Sequence, residues 1–217
     1  MIEIKDVTVV FGRTLALDAI DLEIAPGVTG LFGQNGSGKS TLLRTIAGLI
    51  RPTKGTVLIN GGERARGDES ARAALGFAGH ESGLYARLTV KENLELFARL
   101  YGTAPTAVAG TLERLGLSGV SDVPVGSLSA GMKRRAAVAR ALLHDPDVLL
   151  LDEPYANLDD EASEAVSGAI REWSGPHKTA VIATHGAKRV KAYASAGVIL
   201  QRGRVASHGT YEPRYTS

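Results

Sequence analysis

The residues with the most chemistry at one place are Gly33-Gln34-Asn35-Gly36-Ser37-Gly38-Lys39-Ser40-Thr41. Their spacing, G-x-x-x-x-G-K-[ST], is that of a loop that wraps phosphate. Glycine at 33, 36 and 38 opens backbone conformations closed to bulkier residues, so that successive N–H groups can face an anion. Lys39 adds a full positive charge, and the Ser40 hydroxyl suits Mg²⁺. A helix N-terminus contributes only about 0.3–1 kcal/mol to such binding, whereas even millimolar affinity needs about 4 kcal/mol. Lysine, amides and metal must therefore act together on the phosphates of a nucleotide.

Asp152-Glu153 is the second such place, directly after the apolar run Val148-Leu149-Leu150-Leu151. Two turn carboxylates are commonly just solvated, but these end a strand that reads as buried on both sides. Ligands of open α/β sheets collect at such ends. Asp152 is placed to hold the Mg²⁺ on the nucleotide, directly or through water, and Glu153 to polarise the attacking water. His185 closes another apolar strand, Thr179 to Thr184, and reads either as a structural histidine or as a contact to the γ-phosphate. Phe11 stands just before a loop, where its ring either stacks on a base or fills the core at a strand end.

The elements that must position these groups follow from periodicity. Val28 to Phe32 predicts a buried strand, and Leu42, Leu43, Ile46 and Ala47 a helix after the loop. Before them, Ile2, Ile4, Val7 and Val9 with Leu15, Leu17, Ile20, Leu22 and Ile24 predict an antiparallel opening, broken at Gly12-Arg13 and Pro26-Gly27. Gly55 to Gly61 and Leu75 to Ala78 read as further strands, and the charges from Arg64 to Arg72 between them as a solvated surface segment. From about residue 81 to 145 the pattern turns helical. Thr89-Val90-Lys91-Glu92 supplies a capping box ahead of Val90, Leu94, Phe97 and Tyr101. A second helix follows Pro105, weakened by Gly110. Ser129 caps a third, with Met132, Ala136, Ala139 and Leu143 on one face and Lys133, Arg134, Arg135 and Arg140 on a solvated basic face. Asp159-Asp160-Glu161 opens a helix with Ala162, Val166, Ile170 and Trp173 as its apolar stripe, Trp173 being core. A hairpin around Arg202-Gly203 closes the fold. The tail to Ser217 carries no pattern, and no internal repeat is visible. The class is α/β: a mostly parallel core sheet, an N-terminal antiparallel β subdomain and an inserted α-helical subdomain.

Composition sets the outer limits. The 217 residues carry 25 Lys+Arg against 23 Asp+Glu, a net charge of +2 spread evenly, which argues against a nucleic-acid surface. With no cysteine, disulfides, Cys-ligated zinc and thiol catalysis are excluded. No apolar run is long enough to cross a bilayer, and Met1-Ile2-Glu3-Ile4-Lys5 does not resemble a signal peptide, so the expected place is the cytoplasm.

On these residues the chain resembles the nucleotide-binding subunit of ATP-binding-cassette (ABC) transporters, a P-loop NTPase, along nearly its whole length. Leu128-Ser129-Ala130-Gly131-Met132 is similar to that family's LSGGQ signature, departing at Ala130 and Met132. Val148 to Pro154 resembles the Walker B strand and Ala156-Asn157-Leu158-Asp159 the D-loop. His185 falls at the switch histidine, and Phe11 where the family places an aromatic under adenine. Gly79-His80-Glu81-Ser82-Gly83-Leu84-Tyr85 has His80 where the family has a glutamine that meets metal and water, so the chain departs from the family at this contact. The resemblance implies ATP and Mg²⁺ as ligands and a head-to-tail dimer in which Ser129 and the Gly131 N–H reach the γ-phosphate held by the partner's Lys39. It also implies a separate membrane-spanning permease, with the ATPase peripheral on the inner face of the cell membrane. The Gly79–Tyr85 run is similar to the ATPase of the haem exporter used in cytochrome c maturation. A non-transport ABC ATPase acting on nucleic acid or the ribosome is the alternative. It sits less well with the balanced charge and with the lack of a coiled-coil interruption or a second cassette. A nucleotide-binding module without catalysis would be expected to lack Lys39 or Glu153.

Overall fold

The computed structural model describes residues 1–63 and 74–210. The charged segment from Arg64 to Arg72 and the tail from 211 to 217 lie outside the described residues. The chain opens with β1 (Ile2–Phe11) and β2 (Thr14–Ile24), then β3 (Gly27–Phe32), α1 (Lys39–Ile46), β4 (Lys54–Ile59), β5 (Gly62–Glu63) and β6 (Leu75–Ala78). Three helices follow before the next strand: α2 (Val90–Tyr101), α3 (Thr106–Arg114) and α4 (Ala130–Leu142). The last part alternates strand and helix through β7 (Val148–Asp152), α5 (Asp160–Trp173), β8 (Thr179–Thr184) and α6 (Ala187–Lys191), and ends in the hairpin β9 (Ala196–Gln201) and β10 (Arg204–Thr210).

Among the described residues the strands form two sheets. One is antiparallel, in the order β2-β1-β4-β5. The other runs β10-β9-β3-β8-β7-β6, parallel except for the β9–β10 hairpin. This is an α/β P-loop architecture with an antiparallel subdomain and helices between β6 and β7. The helical period persists through Gly110, so α3 runs unbroken.

Strand β7 is buried at every position, and its side chains alternate between two cores. Leu149 and Leu151 pack with the helical layer of α2 to α5. Val148 and Leu150 pack with α1 and the antiparallel strands. Asp152 keeps the parity of Val148 and Leu150, which turns its carboxylate to the side of the sheet that carries α1. Sheet periodicity alone thus delivers an acid to the helix that starts at Lys39.

The basic face expected to be solvated on α4 is so only in part. Arg134 is only 8% exposed. Its guanidinium donates to the carbonyls of Gly79 (2.6 Å), His80 (3.1 Å) and Asp152 (3.3 Å). Arg140 donates to Phe77 and Gly83, Arg135 to Leu115 and Gly116, and Lys133 to Gly126. Burial pushes the Arg134 guanidinium below its ordinary value, while Asp152 and Glu153 pull it back up. Arg134 is drawn in because α4 crosses behind the ends of β6 and β7, where carbonyls past the last ladder bond need donors. Long basic side chains supply them.

Candidate active site

The phosphate loop joins β3 to α1. Gly38 caps α1 at φ 107, and a Cβ there would lie 2.9 Å from the Ala16 carbonyl, so only glycine fits. The β9–β10 turn braces the loop from behind through Gly203 N–H to the Ser37 carbonyl at 2.9 Å. Lys39 is 6% exposed, and its ammonium donates to the carbonyls of Gly33 (2.8 Å) and Gln34 (3.1 Å). The cation is thereby folded across the mouth of its own loop. The Ser37 hydroxyl and Asp152 Oδ2 are buried and hydrogen-bond to nothing among the described residues. Both line one cavity of 550 Å³ together with Asn35 to Thr41, His80, Glu153 and His185. Two orphaned oxygens on residues that line one cavity, beside a buried ammonium, fit a place completed by a polar ligand.

Glu153 has φ 52, in the left-handed region, where a bulky residue costs about 1–3 kcal/mol. That turn ends the strand and frees its side chain from sheet parity. Its carboxylate accepts from the Thr184 hydroxyl (3.1 Å) and the His185 N–H (2.9 Å) and lies 3.0 Å from His185 Nδ1. Glu153 and His185, far apart in the sequence, are made a pair by the fold, because β7 and β8 are parallel neighbours whose ends lie within one residue of each other. Thr184 was overlooked, although its place just before His185 at a strand end was the available signal.

Several expected residues stand apart from the cavity. Phe11 is 50% exposed at the hairpin opposite Thr14, which removes the core reading; its neighbours across the hairpin, Thr14, Leu15 and Ala16, line the cavity and its own ring does not. Ser129 caps α4 by accepting from Met132 N–H and is exposed, with Gly131 two residues further on. Neither lines the cavity of the same chain. At Gly131 a Cβ would lie 2.6 Å from the Asn157 carbonyl, so the start of α4 presses directly on the loop that follows Glu153. Trp173 is core, its indole donating to Pro146.

The family model for ABC transporters matches residues 17–156. The chain belongs to the ABC transporter family. ABC transporter ATP-binding protein NatA of Bacillus subtilis is 35% identical over 208 residues, 93% of this chain and 85% of NatA. Sulfate/thiosulfate import ATP-binding protein CysA of Mycobacterium bovis is 37% identical over 215 residues, 96% of this chain. The chain spans only 61% of that relative's length. Among solved structures, a dimeric post-hydrolysis state of an ATP-binding cassette bound to ADP and Pi matches with a TM-score of 0.89 and 27% identity, over 98% of this chain and 99% of that one. The chain is thus an ABC ATPase. No helix among the described residues is long and apolar enough to cross a membrane.

Proposed function

We propose that residues 1–217 form one ABC ATPase domain that binds and hydrolyses ATP to drive a separate membrane-spanning permease from the cytoplasmic face of the membrane. The observation that carries this reading is the single cavity holding Lys39, Ser40, Asp152, Glu153 and His185, residues brought from two strand ends and a helix start. In this reading the loop from Gly33 to Thr41 wraps the phosphates, and Lys39 exchanges its loop carbonyls for phosphate oxygens. Among the described residues no group of three or more His, Asp or Glu could hold a metal. With the nucleotide bound, Mg²⁺ would be held by the Ser40 hydroxyl and Asp152 together with phosphate oxygens and water, the oxygen donors this ion prefers, and His80 lines the same cavity in the place of the family's glutamine. The metal supplies neutralisation of charge on the phosphates. Glu153 polarises the attacking water, and His185, at 3.0 Å, orients that carboxylate and reaches toward the γ-phosphate. Phe11, at the hairpin rim, stacks on the base.

The exposed, capped start of α4, standing outside its own cavity, supports a head-to-tail dimer in which Ser129 and the Gly131 N–H meet the ATP on the partner subunit. The helical insert at about residues 81–145 then relays closure to the permease. For cargo, the likeness of Gly79 to Tyr85 to the haem-exporter ATPase supports a permease of cytochrome c biogenesis, and the membrane protein that co-purifies with this chain decides it.

The test is Glu153→Gln, which keeps shape and removes the base. ATP binding should persist, turnover should fall by about 10²- to 10⁴-fold, and ATP should hold a closed dimer visible by size-exclusion chromatography. Unchanged steady-state hydrolysis would remove Glu153 from this role.

A further inference from the structure

Beside the Glu153–His185 pair lies a second, larger cavity, of 890 Å³, bounded by the loop after β7, helix α5 and the segment from His185 to Tyr193. Glu153 and His185 line both cavities. Beyond the pair, then, the two stretches that carry these catalytic groups are separated by open space rather than close packing. Their relative position has to be set by the contacts that bridge that space.

Among the described residues these are the ion pairs of Arg189, its place over the Tyr155 ring at 6.0 Å, and a set of hydroxyls. Arg189 of α6 reaches Asp160 (2.7 Å) and Glu164 (3.8 Å) of α5. Asp160 is fully exposed and Glu164 largely so. Ion pairs of this kind are screened and hold position weakly. The other set is better shielded. The Tyr155 and Tyr193 hydroxyls are hydrogen-bonded to each other, the Ser167 hydroxyl lies 3.3 Å from that of Tyr155, and Ser167 donates to the Ser163 carbonyl at 2.9 Å. The Tyr155 hydroxyl thus has hydroxyl partners on both sides, Tyr193 and Ser167, within one run of groups inside the domain. Burial pushes both phenols above their ordinary values, which keeps them neutral and the run intact.

The tyrosines sit at mirror places with respect to the pair. Tyr155 follows Glu153 with only Pro154 between, and Pro154 is buried with a fixed φ. The left-handed backbone at Glu153 persists only if residues on both sides hold it. Before it, Glu153 N–H is tied to the Ala183 carbonyl at 2.8 Å. After it, Tyr155 is the anchor. Tyr193 ends the segment that His185 begins, with the fully buried Val190 between them. We infer that the Tyr155–Tyr193 hydroxyl bond is a positioning clasp that fixes the Glu153–His185 geometry for hydrolysis across a cavity that packing leaves open. This rests on the reading of Glu153 and His185 given above.

The test is Tyr193→Phe, which removes one hydroxyl and keeps the ring. Catalysis should suffer and nucleotide capture should not, since Lys39 and its loop are untouched: kcat falls about five- to tenfold, the size of one lost hydrogen bond, and KM for ATP stays within about twofold. Tyr155→Phe should fall by a similar factor, and the double variant no further than either single one. The ring ¹⁵N signals of His185 should move in Tyr193→Phe and stay in place in the surface control Lys5→Gln. Wild-type kcat in Tyr193→Phe, or equal losses that multiply in the double variant, overturns the clasp. A fall in melting temperature with kcat and the His185 signals unchanged also overturns it, as that marks a packing role alone. Failure of the underlying reading is distinct: His185→Ala and Glu153→Gln would then retain full turnover.

Discussion

Lys39 and Arg134 are both nearly sealed from solvent, and each donates only to backbone carbonyls, yet they belong to opposite kinds of structure. Lys39 binds carbonyls five and six residues away, in a loop whose shape its own glycines permit. Arg134 binds carbonyls 18, 54 and 55 residues away, on strands that meet it only when the sheet is assembled. A short-range arrangement repeats as a motif and can exchange its carbonyls for phosphate at little cost to the fold. The long-range one has no exchange partner and is part of what holds α4 to the strand ends. The same contrast separates the phosphate loop, whose cavity is lined within one chain, from the capped start of α4, which points away from that cavity.

The contrast can be broken most severely at Ser129. If α4 serves the partner's site, Ser129→Arg abolishes hydrolysis in its own dimers, as Lys39→Ala does in its own. A closed two-fold dimer puts each lesion into both sites, but a mixed dimer gathers both lesions in one site and leaves the other intact. An equimolar mixture should then recover about a quarter of wild-type activity. No recovery from a mixture that forms heterodimers, or full activity of Ser129→Arg in a strictly monomeric state, places the signature outside the shared site.

Arg134→Met sharpens the same comparison on the side of stability. It leaves three strand-end carbonyls without a donor, at about 1–3 kcal/mol for each that water cannot reach. The sum expected is about 3 kcal/mol, or about 6–12 °C in melting temperature for a chain of this size. Lys133→Met, on the exposed side of the same helix, should stay within about 0.5 kcal/mol. Equal shifts in the two variants would mean that the carbonyl network is not what holds α4.

The smallest effect concerns His144, just beyond α4, whose ring stacks on Tyr101 with centroids 4.0 Å apart. Burial is the largest cause lowering its pKa from the ordinary value, outweighing the opposite pull of Asp145. The folded state thus resists protonation more than the unfolded one, so His144 costs no stability above about pH 6.5 and an increasing amount as pH falls below it. Wild-type melting temperature should drop between pH 7.5 and 5.5 by more than that of His144→Phe, which keeps the stacked ring without the titration. Parallel curves would show that this ring does not titrate differently on folding.

The phosphate loop, the buried strand ending in Asp152-Glu153, the antiparallel opening and the helical insert were all legible in the sequence. Each is a local pattern: glycine at fixed offsets, an apolar run of strand length, a cap followed by a 3.6-residue period. What sequence misjudged on α4 was Arg134 above all, because a charge beside an apolar stripe reads as solvated until the carbonyls it will meet have been brought to it. Phe11 could not be assigned to core or rim for the same reason. The pairing of Glu153 with His185 depends on β7 and β8 lying side by side with their ends within one residue of each other, and the Tyr155–Tyr193 bond on the cavity between α5 and α6. The sequence alone determined which chemistry each segment carries, since that depends on residue type and short-range backbone geometry. Only the tertiary structure decided which groups meet, since contacts between residues 30 to 60 positions apart depend on strand order and register, which no local pattern encodes.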